Sequence, residues 1–197
     1  MTKNIILVGV GGQGTILASK LLTTGLMEAG FDVKMSEIHG MSQRGGSVSS
    51  QVRYGKCVHS PVIEMGTADI LVAFEKMEAL RYTKYLKEDG KIVVNKFKVD
   101  PMPVLIGGAE YLEKEIDEEF EKLNADVIDA ANKAVELGNA KVMNIILLGS
   151  LVKSMQLEHI DWENIIRENV KPKFIDINIK AFNEGMKLIS KESLQEN

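Results

Sequence analysis

The chain has 197 residues, 45% of them hydrophobic and 26% charged, which suits one core-forming domain and excludes a disordered chain. A net charge of -4 excludes a generally basic nucleic-acid binder, because no broad positive field is available to hold phosphates. The one cysteine, Cys57, excludes an internal disulfide framework and any iron–sulfur cluster held by this chain alone, since such clusters take about four protein ligands.

Met1–Val10 runs straight into a folded motif without a cleavable signal. Asn4–Val8 reads as a strand buried on both faces. A glycine-rich turn follows, and Thr15–Ala29 reads as a helix, with Leu17/Leu21 and Leu22/Leu26 at helical spacing and Gly30 at its stop. Asp32–Glu37 is the second strand, Ile38–Gly46 a polar loop, and Ser47–Tyr54 a third strand with one covered face. Asp69–Phe74 is another buried strand, followed by a helix over Glu75–Leu86. The turn Glu88-Asp89-Gly90 leads into a strand at Ile92–Asn95. Pro101 and Pro103 interrupt regular structure. Tyr111–Leu123 is an acidic surface helix, and Asp126–Asp129 is the last strand. The remainder is helical, over Ala130–Leu137, Lys141–Met155, Asp161–Val170 and Ile175–Ser190. Its longest apolar run, Ile145–Leu148, is far below the ~20 residues that span a bilayer. The expectation is one α/β domain over residues 1–197, located in the cytoplasm. It is a Rossmann-like, mostly parallel sheet flanked by helices, with a helical C-terminal third.

Gly9, Gly11 and Gly14 satisfy G-x-G-x-x-G after a strand and before a helix. Glycine permits the tight turn, the helix start offers N–H donors, and the helix dipole favours an anion there. The same turn could also be a crossover that binds nothing. A pyrophosphate site does not identify its nucleotide, and Glu37, after the second strand, could take the ribose hydroxyls of NAD.

The loop from Ser36 to Val48 carries His39, Arg44 and the glycines Gly40, Gly45 and Gly46, a composition with no packing reason. Arg44 could fork onto a phosphate or carboxylate. With Gly9–Gly14 and Leu17-Ala18, the run Glu37–Val48 resembles the gamma subunit of 2-oxoacid:ferredoxin oxidoreductases, and is most similar to the branch called the indolepyruvate ferredoxin oxidoreductase beta subunit. Ser60-Pro61, Ala68–Glu75, Gly90–Asn95 and Asn144 support the resemblance, which covers most of residues 4–155.

The resemblance implies a subunit of an enzyme that converts a 2-oxoacid to an acyl-CoA while reducing ferredoxin. It implies that a partner subunit carries thiamine diphosphate and the iron–sulfur clusters, while this chain contributes coenzyme A binding and is inactive in isolation. Gly11, Gly12, Gln13, Gly14 and Thr15 would then meet the pyrophosphate of coenzyme A, with Ser42, Gln43 and Arg44 on the other side. No catalytic residue and no metal ligand is assigned to this chain. A stand-alone NAD(P)-dependent oxidoreductase or a nucleotide-binding scaffold would use the same glycine loop.

Arg53 and Lys96 are read as solvated, Cys57 as an inert thiol, and Glu113–Glu121 as a solvated helix face. Ile145, Leu148 and Leu151 exceed what one sheet face needs, so a homodimer or an exposed apolar patch is expected without the partner. A charge-assisted hydrogen bond is worth roughly 1.5–3 kcal/mol, so Arg44→Ala should weaken coenzyme A use by about 10- to 150-fold. Steady-state kinetics of the reconstituted complex, with coenzyme A varied, measures this, and an unchanged KM and turnover would remove Arg44 from the site.

Overall fold

The computed structural model describes residues 2–40 and 46–189. Strand β1 (Lys3–Val10) leads through the glycine turn into helix α1 (Thr15–Glu28), then β2 (Asp32–His39) and β3 (Ser47–Gly55). After a long connection come β4 (Ala68–Ala73), α2 (Lys76–Tyr82) and β5 (Leu86–Asn95). Helix α3 (Met102–Leu105), α4 (Glu113–Lys122) and β6 (Asp126–Ile128) follow. The last third is α5 (Ala130–Glu136), α6 (Met143–Ser154), α7 (Trp162–Asn169) and α8 (Ile175–Lys187).

The six strands form one mixed sheet in the order β2-β3-β1-β4-β5-β6. Strands β1, β4, β5 and β6 pair in parallel, whereas β3 is antiparallel to both neighbours. The seven residues 40–46 between β2 and β3 are too few for a parallel crossover, which takes about a dozen or more, so the chain turns back as a hairpin. Strand β3 therefore lies between β1 and β2, and the adjacency of β1 and β2 usual in a Rossmann sheet is absent. This interior position also covers both faces of β3, where Ser49, Ser50, Gln51 and Val52 are all buried. Segment 58–63 lies over one of those faces: Ile63 N–H donates to Gln51 Oε1 at 2.7 Å. Arg53 is not solvated, because its Nη1 donates to the Ser60 and Val62 carbonyls at 3.0 Å.

Glu88-Asp89-Gly90 is part of β5 and not a turn before it. Leu86 pairs with Ala68 and Lys91 with Ile70, so the extra residues bulge opposite Asp69.

One sheet face carries the larger core, where Leu21 and Leu22 of α1 meet Ile5, Leu7 and the apolar side of α6. The other is covered by α2 and by Ile116 and Phe120 of α4. Ile145 and Leu151 are 0% exposed and Leu148 1%, so the apolar residues of α6 fill the core and leave no surplus for self-association. Exposed apolar side chains lie instead on α3, where Met102, Leu105 and Ile106 just beyond it are about two-thirds exposed or more. The acidic face of α4 is not wholly solvated either. Asp117 and Glu113 reach the buried Lys76 ammonium at 2.7 and 3.4 Å.

Helix α6 can be this central because α8 approaches it backbone to backbone. A Cβ on Gly149 would lie 2.1 Å from the Phe182 carbonyl oxygen, and one on Gly185 1.9 Å from that of Ile146. Ser150 Oγ donates to the Gly185 carbonyl at 2.8 Å across the same contact. Gly185→Ala should therefore force the helices apart and cost about 1–3 kcal/mol or more, as overpacking of a dense core does. Urea unfolding followed by circular dichroism measures this, and an unchanged midpoint would mean that α8 docks by other contacts.

Candidate functional site

The carboxyl ends of β1 and β2 and the start of β3 lie at one edge of the sheet. Gly9, the last residue but one of β1, packs closely on its neighbours, since a Cβ there would meet Gln13 Oε1 at 2.6 Å and Phe74 Cβ at 2.8 Å. Gly14 then takes a left-handed conformation (φ 82°) as the residue capping α1, and having no side chain it leaves the first-turn N–H groups of α1 without a side-chain cap. Gly11 N–H donates to the Gly46 carbonyl at 2.9 Å and Gln13 N–H to that of Val10 at 3.2 Å. Among the described residues no acceptor is paired with the N–H of Gly12, Gly14 or Thr15. These donors open onto a cleft of about 580 Å³, lined by Gly11, Gly12, Gly14 and Thr15 on one side and His39, Gly40 and Val48 on the other.

The glycine turn and the two ends of the second loop thus lie together, although not because β1 and β2 are neighbours. The β2–β3 hairpin sets the start of β3 beside the end of β1, with Val10 opposite Ser47, His39 opposite Val48, and Gly40 N–H donating to the Ser47 carbonyl at 2.9 Å. Gly11, Gly12, Gly14 and Thr15 all line the cleft. Gln13 faces inward: its Oε1 accepts from Val10 N–H at 2.7 Å and its Nε2 donates to the Phe74 carbonyl at 3.2 Å. Ser42, Gln43 and Arg44 lie outside the described residues.

Glu37 lies near the cleft on β2, where its Oε1 accepts from Ser19 Oγ of α1 at 3.3 Å and its Oε2 is 3.7 Å from His39 Nε2. Cys57 is exposed, with its Sγ 3.6 Å from His59 Nε2.

Residues that the sequence marked through the family resemblance, without a structural role, hold this end of the sheet together. Asn144 of α6 donates to the Gly14 carbonyl at 3.2 Å, bracing the glycine turn from behind. Asn95 donates from Nδ2 to the Phe74 carbonyl at 3.2 Å and accepts from Ala130 N–H at 3.1 Å. Ser47 Oγ donates to Glu78 at 2.5 Å, and Glu75 caps α2 by accepting Glu78 N–H at 2.9 Å and Val99 N–H at 3.1 Å. Burial pushes the Glu75 carboxyl above the usual carboxylate range, against the pull of those N–H groups and of Met77 N–H.

Over residues 4–188 the sequence matches the family described as pyruvate ferredoxin/flavodoxin oxidoreductase. The indolepyruvate oxidoreductase subunit IorB of Pyrococcus horikoshii is 40% identical over 194 residues, covering 93% of this chain and 94% of that one. The keto/oxoacid ferredoxin oxidoreductase gamma subunit of Geobacter sulfurreducens is similar in fold, with a TM-score of 0.70 at 23% identity, over 95% of each chain. So is a 2-oxoglutarate:ferredoxin oxidoreductase of Magnetococcus marinus, solved with 2-oxoglutarate, coenzyme A and succinyl-CoA bound. There the TM-score is 0.73 at 19% identity, over 96% of this chain and 32% of the longer one.

Glu75 gives the edge a pH dependence. Its folded pKa lies above the unfolded one, so the folded chain binds this proton more tightly, and the contribution of Glu75 to stability falls as pH rises through the raised value. Measured as urea midpoints against pH, the parent should lose stability relative to Glu75→Gln on going from about pH 4, the ordinary carboxylate range, to neutrality. A difference between the two that stays flat with pH would show that burial does not perturb Glu75.

Proposed function

The chain belongs to the pyruvate ferredoxin/flavodoxin oxidoreductase family, and we propose that it is the coenzyme A-binding subunit of an indolepyruvate or other aryl-pyruvate:ferredoxin oxidoreductase acting in the cytoplasm. Membership in a 2-oxoacid:ferredoxin oxidoreductase is the coarser statement and stands on the family match and the 40% identical relative. The aryl-pyruvate substrate is drawn from that relative's name. The observation that carries the coenzyme A role is the start of α1: a left-handed Gly14 beside a cleft, with N–H groups that no acceptor among the described residues takes up. A diphosphate there would receive backbone hydrogen bonds and the favourable end of the helix dipole. Arg44, Ser42 and Gln43 are proposed to close on it from the second loop.

The residues do not fit an iron–sulfur cluster, since Cys57 is the only cysteine and lies exposed in the segment after β3. Among the described residues no group of three or more His, Cys, Asp or Glu side chains could hold a metal ion. Thiamine diphosphate and the clusters are accordingly assigned to a partner subunit, which supplies the decarboxylation and passes electrons to ferredoxin. This chain binds and orients the acyl acceptor. The exposed apolar side chains of Met102, Leu105 and Ile106 support its role as one subunit of a larger assembly.

The NAD reading is weaker for a geometric reason. Strand β3 separates β2 from β1, so Glu37 stands two strand spacings, about 10 Å, from the strand that carries the glycine turn. Its carboxylate is also engaged by Ser19.

Calorimetric titration of the chain with coenzyme A and with NAD separates these functions. Coenzyme A should bind at least about tenfold more tightly, a difference of about 1.4 kcal/mol. Gly12→Val should abolish that binding, because φ at Gly12 is 101° and a β-branched residue there distorts the turn. Preference for NAD, or coenzyme A binding indifferent to Gly12→Val, would overturn the proposal.

A further inference from the structure

The connection between β5 and α4 builds an arm that the chain's own core does not use. Lys98 closes its base, with the ammonium 3.2 Å from Glu113 and 4.8 Å from the centre of the Tyr111 ring. Glu75 ties the same base to α2 by accepting Val99 N–H at 3.1 Å. Beyond the base stands α3, none of whose residues is buried. Its backbone is satisfied from within. The N–H groups of Val104 through Ala109 all donate to carbonyls between Pro101 and Val104. Pro101 and Pro103 also reduce the conformations that the arm has to give up on ordering. Met102, Leu105, Ile106 and, at the start of α4, Leu112 thus stand on an ordered support, each more than half exposed. Large apolar side chains held in water by an ordered loop mark a surface that another molecule covers.

The charges beside this patch restrict what can cover it. Between Glu110 and Glu121 stand seven acids and one lysine, Lys114. Glu113 and Asp117 are paired with Lys76 or Lys98, and Glu119 with Lys122. Glu110, Glu115, Glu118 and Glu121 are exposed, and among the described residues none of them is in an ion pair. A second copy docked arm to arm about a two-fold axis would set this acidic run against itself. Like charges brought together oppose binding, so the patch fits a different chain, apolar at the centre of its surface and basic at the rim.

The direction of the arm agrees with one such chain. It leaves the carboxyl end of β5, and β1, β4 and β5 run parallel, so arm and glycine turn lie at the same end of the sheet. A chain seated on α3 therefore approaches the end at which the cleft opens. An acyl group formed on another subunit has to arrive at that end to meet its acceptor.

We propose that the arm of residues 98–113 docks the thiamine diphosphate-carrying subunit. Met102, Leu105 and Ile106 enter an apolar groove of that subunit, and the free acids of the α4 run meet lysines or arginines at its rim. This rests on the assignment of that cofactor to a partner under the proposed function.

The test measures association of the full-length chain with the thiamine diphosphate-carrying subunit purified from the same organism. Biolayer interferometry is run at about 0.01 M and about 0.15 M salt, between which the screening length falls from about 30 to about 8 Å. Leu105→Ser with Ile106→Ser should weaken association about 30-fold or more, as truncation of a single interface anchor does. Glu115→Gln with Glu118→Gln should slow association at low salt and flatten its salt dependence. All four positions are exposed, so both variants should keep the parent's urea midpoint.

Association unchanged by the serine pair would overturn the proposal, and the chain would remain a subunit docked by another face. A rate and salt dependence unchanged by the glutamine pair would overturn the basic rim. Self-association of the parent in sedimentation velocity, abolished by the serine pair, would make a second copy the occupant and overturn the proposal too. If the parent binds no thiamine diphosphate-carrying subunit, the assignment beneath falls and this docking surface falls with it.

Discussion

The Phe74 carbonyl oxygen, at the end of β4, accepts hydrogen bonds from two side-chain amides at once. Gln13 reaches it from the glycine turn at 3.2 Å and Asn95 from the end of β5 at 3.2 Å. Strand ends are where a parallel sheet runs out of ladder partners, and a carbonyl or N–H left buried there costs about 1–3 kcal/mol. The amides remove that cost and fix the spacing of three strand ends together. Gln13 also accepts from Val10 N–H, Asn95 from Ala130 N–H, and Asn144 holds Gly14 from the α6 side. Removing this seam would leave the first turn of α1 without a fixed direction, and the donors of that turn would no longer converge.

The seam explains how a glycine-rich turn can be rigid. Glycine widens the conformations open to an unfolded chain, so a loop of glycines orders only if its neighbours over-determine it. Here the constraint comes from the side chain of the one non-glycine residue in the middle of the turn and from a helix more than a hundred residues later. That helix, α6, is itself fixed by the Gly149–Gly185 crossing, where two backbones meet without side chains between them. The C-terminal third therefore acts on the site through packing: α8 positions α6, α6 carries Asn144, and Asn144 supports Gly14. Rigidity at the site follows from burial elsewhere.

Much of this was legible in the sequence, and the limits have physical causes. The strand, glycine turn and helix over Lys3–Glu28 were readable because an apolar run, the glycine spacing and leucines at helical intervals agree. The place of β3 was not, because alternation marks a strand without giving its direction. The decisive clue was the seven residues before it, a length that permits only a hairpin. Helix α3 is four residues long, begins after Pro101 and contains Pro103, and is too short to carry a period. The residue types at Gln13 and Asn144 could be read, but their roles could not, since an amide that braces a turn and one that meets a ligand look alike in sequence. Lys76 was hidden by the same ambiguity, for the acids that enclose it on α4 read as a solvated stripe.

With Gln13 turned inward, the glycine turn presents backbone alone to the cleft. Backbone N–H groups at a helix start recognise negative charge and shape, and any diphosphate offers both. Such a turn supplies affinity without discrimination, so selectivity among nucleotides has to come from side chains that flank it. In a sheet where β2 follows β1, an acid at the end of β2 supplies it by reading the ribose. Here the hairpin displaces that position by one strand and replaces it at the cleft with His39, Gly40 and Val48. The hairpin therefore substitutes its strand ends for a fixed carboxylate. The same insertion that removes the β1–β2 adjacency of a dinucleotide fold sets the glycine turn and the ends of the hairpin on opposite sides of one cleft.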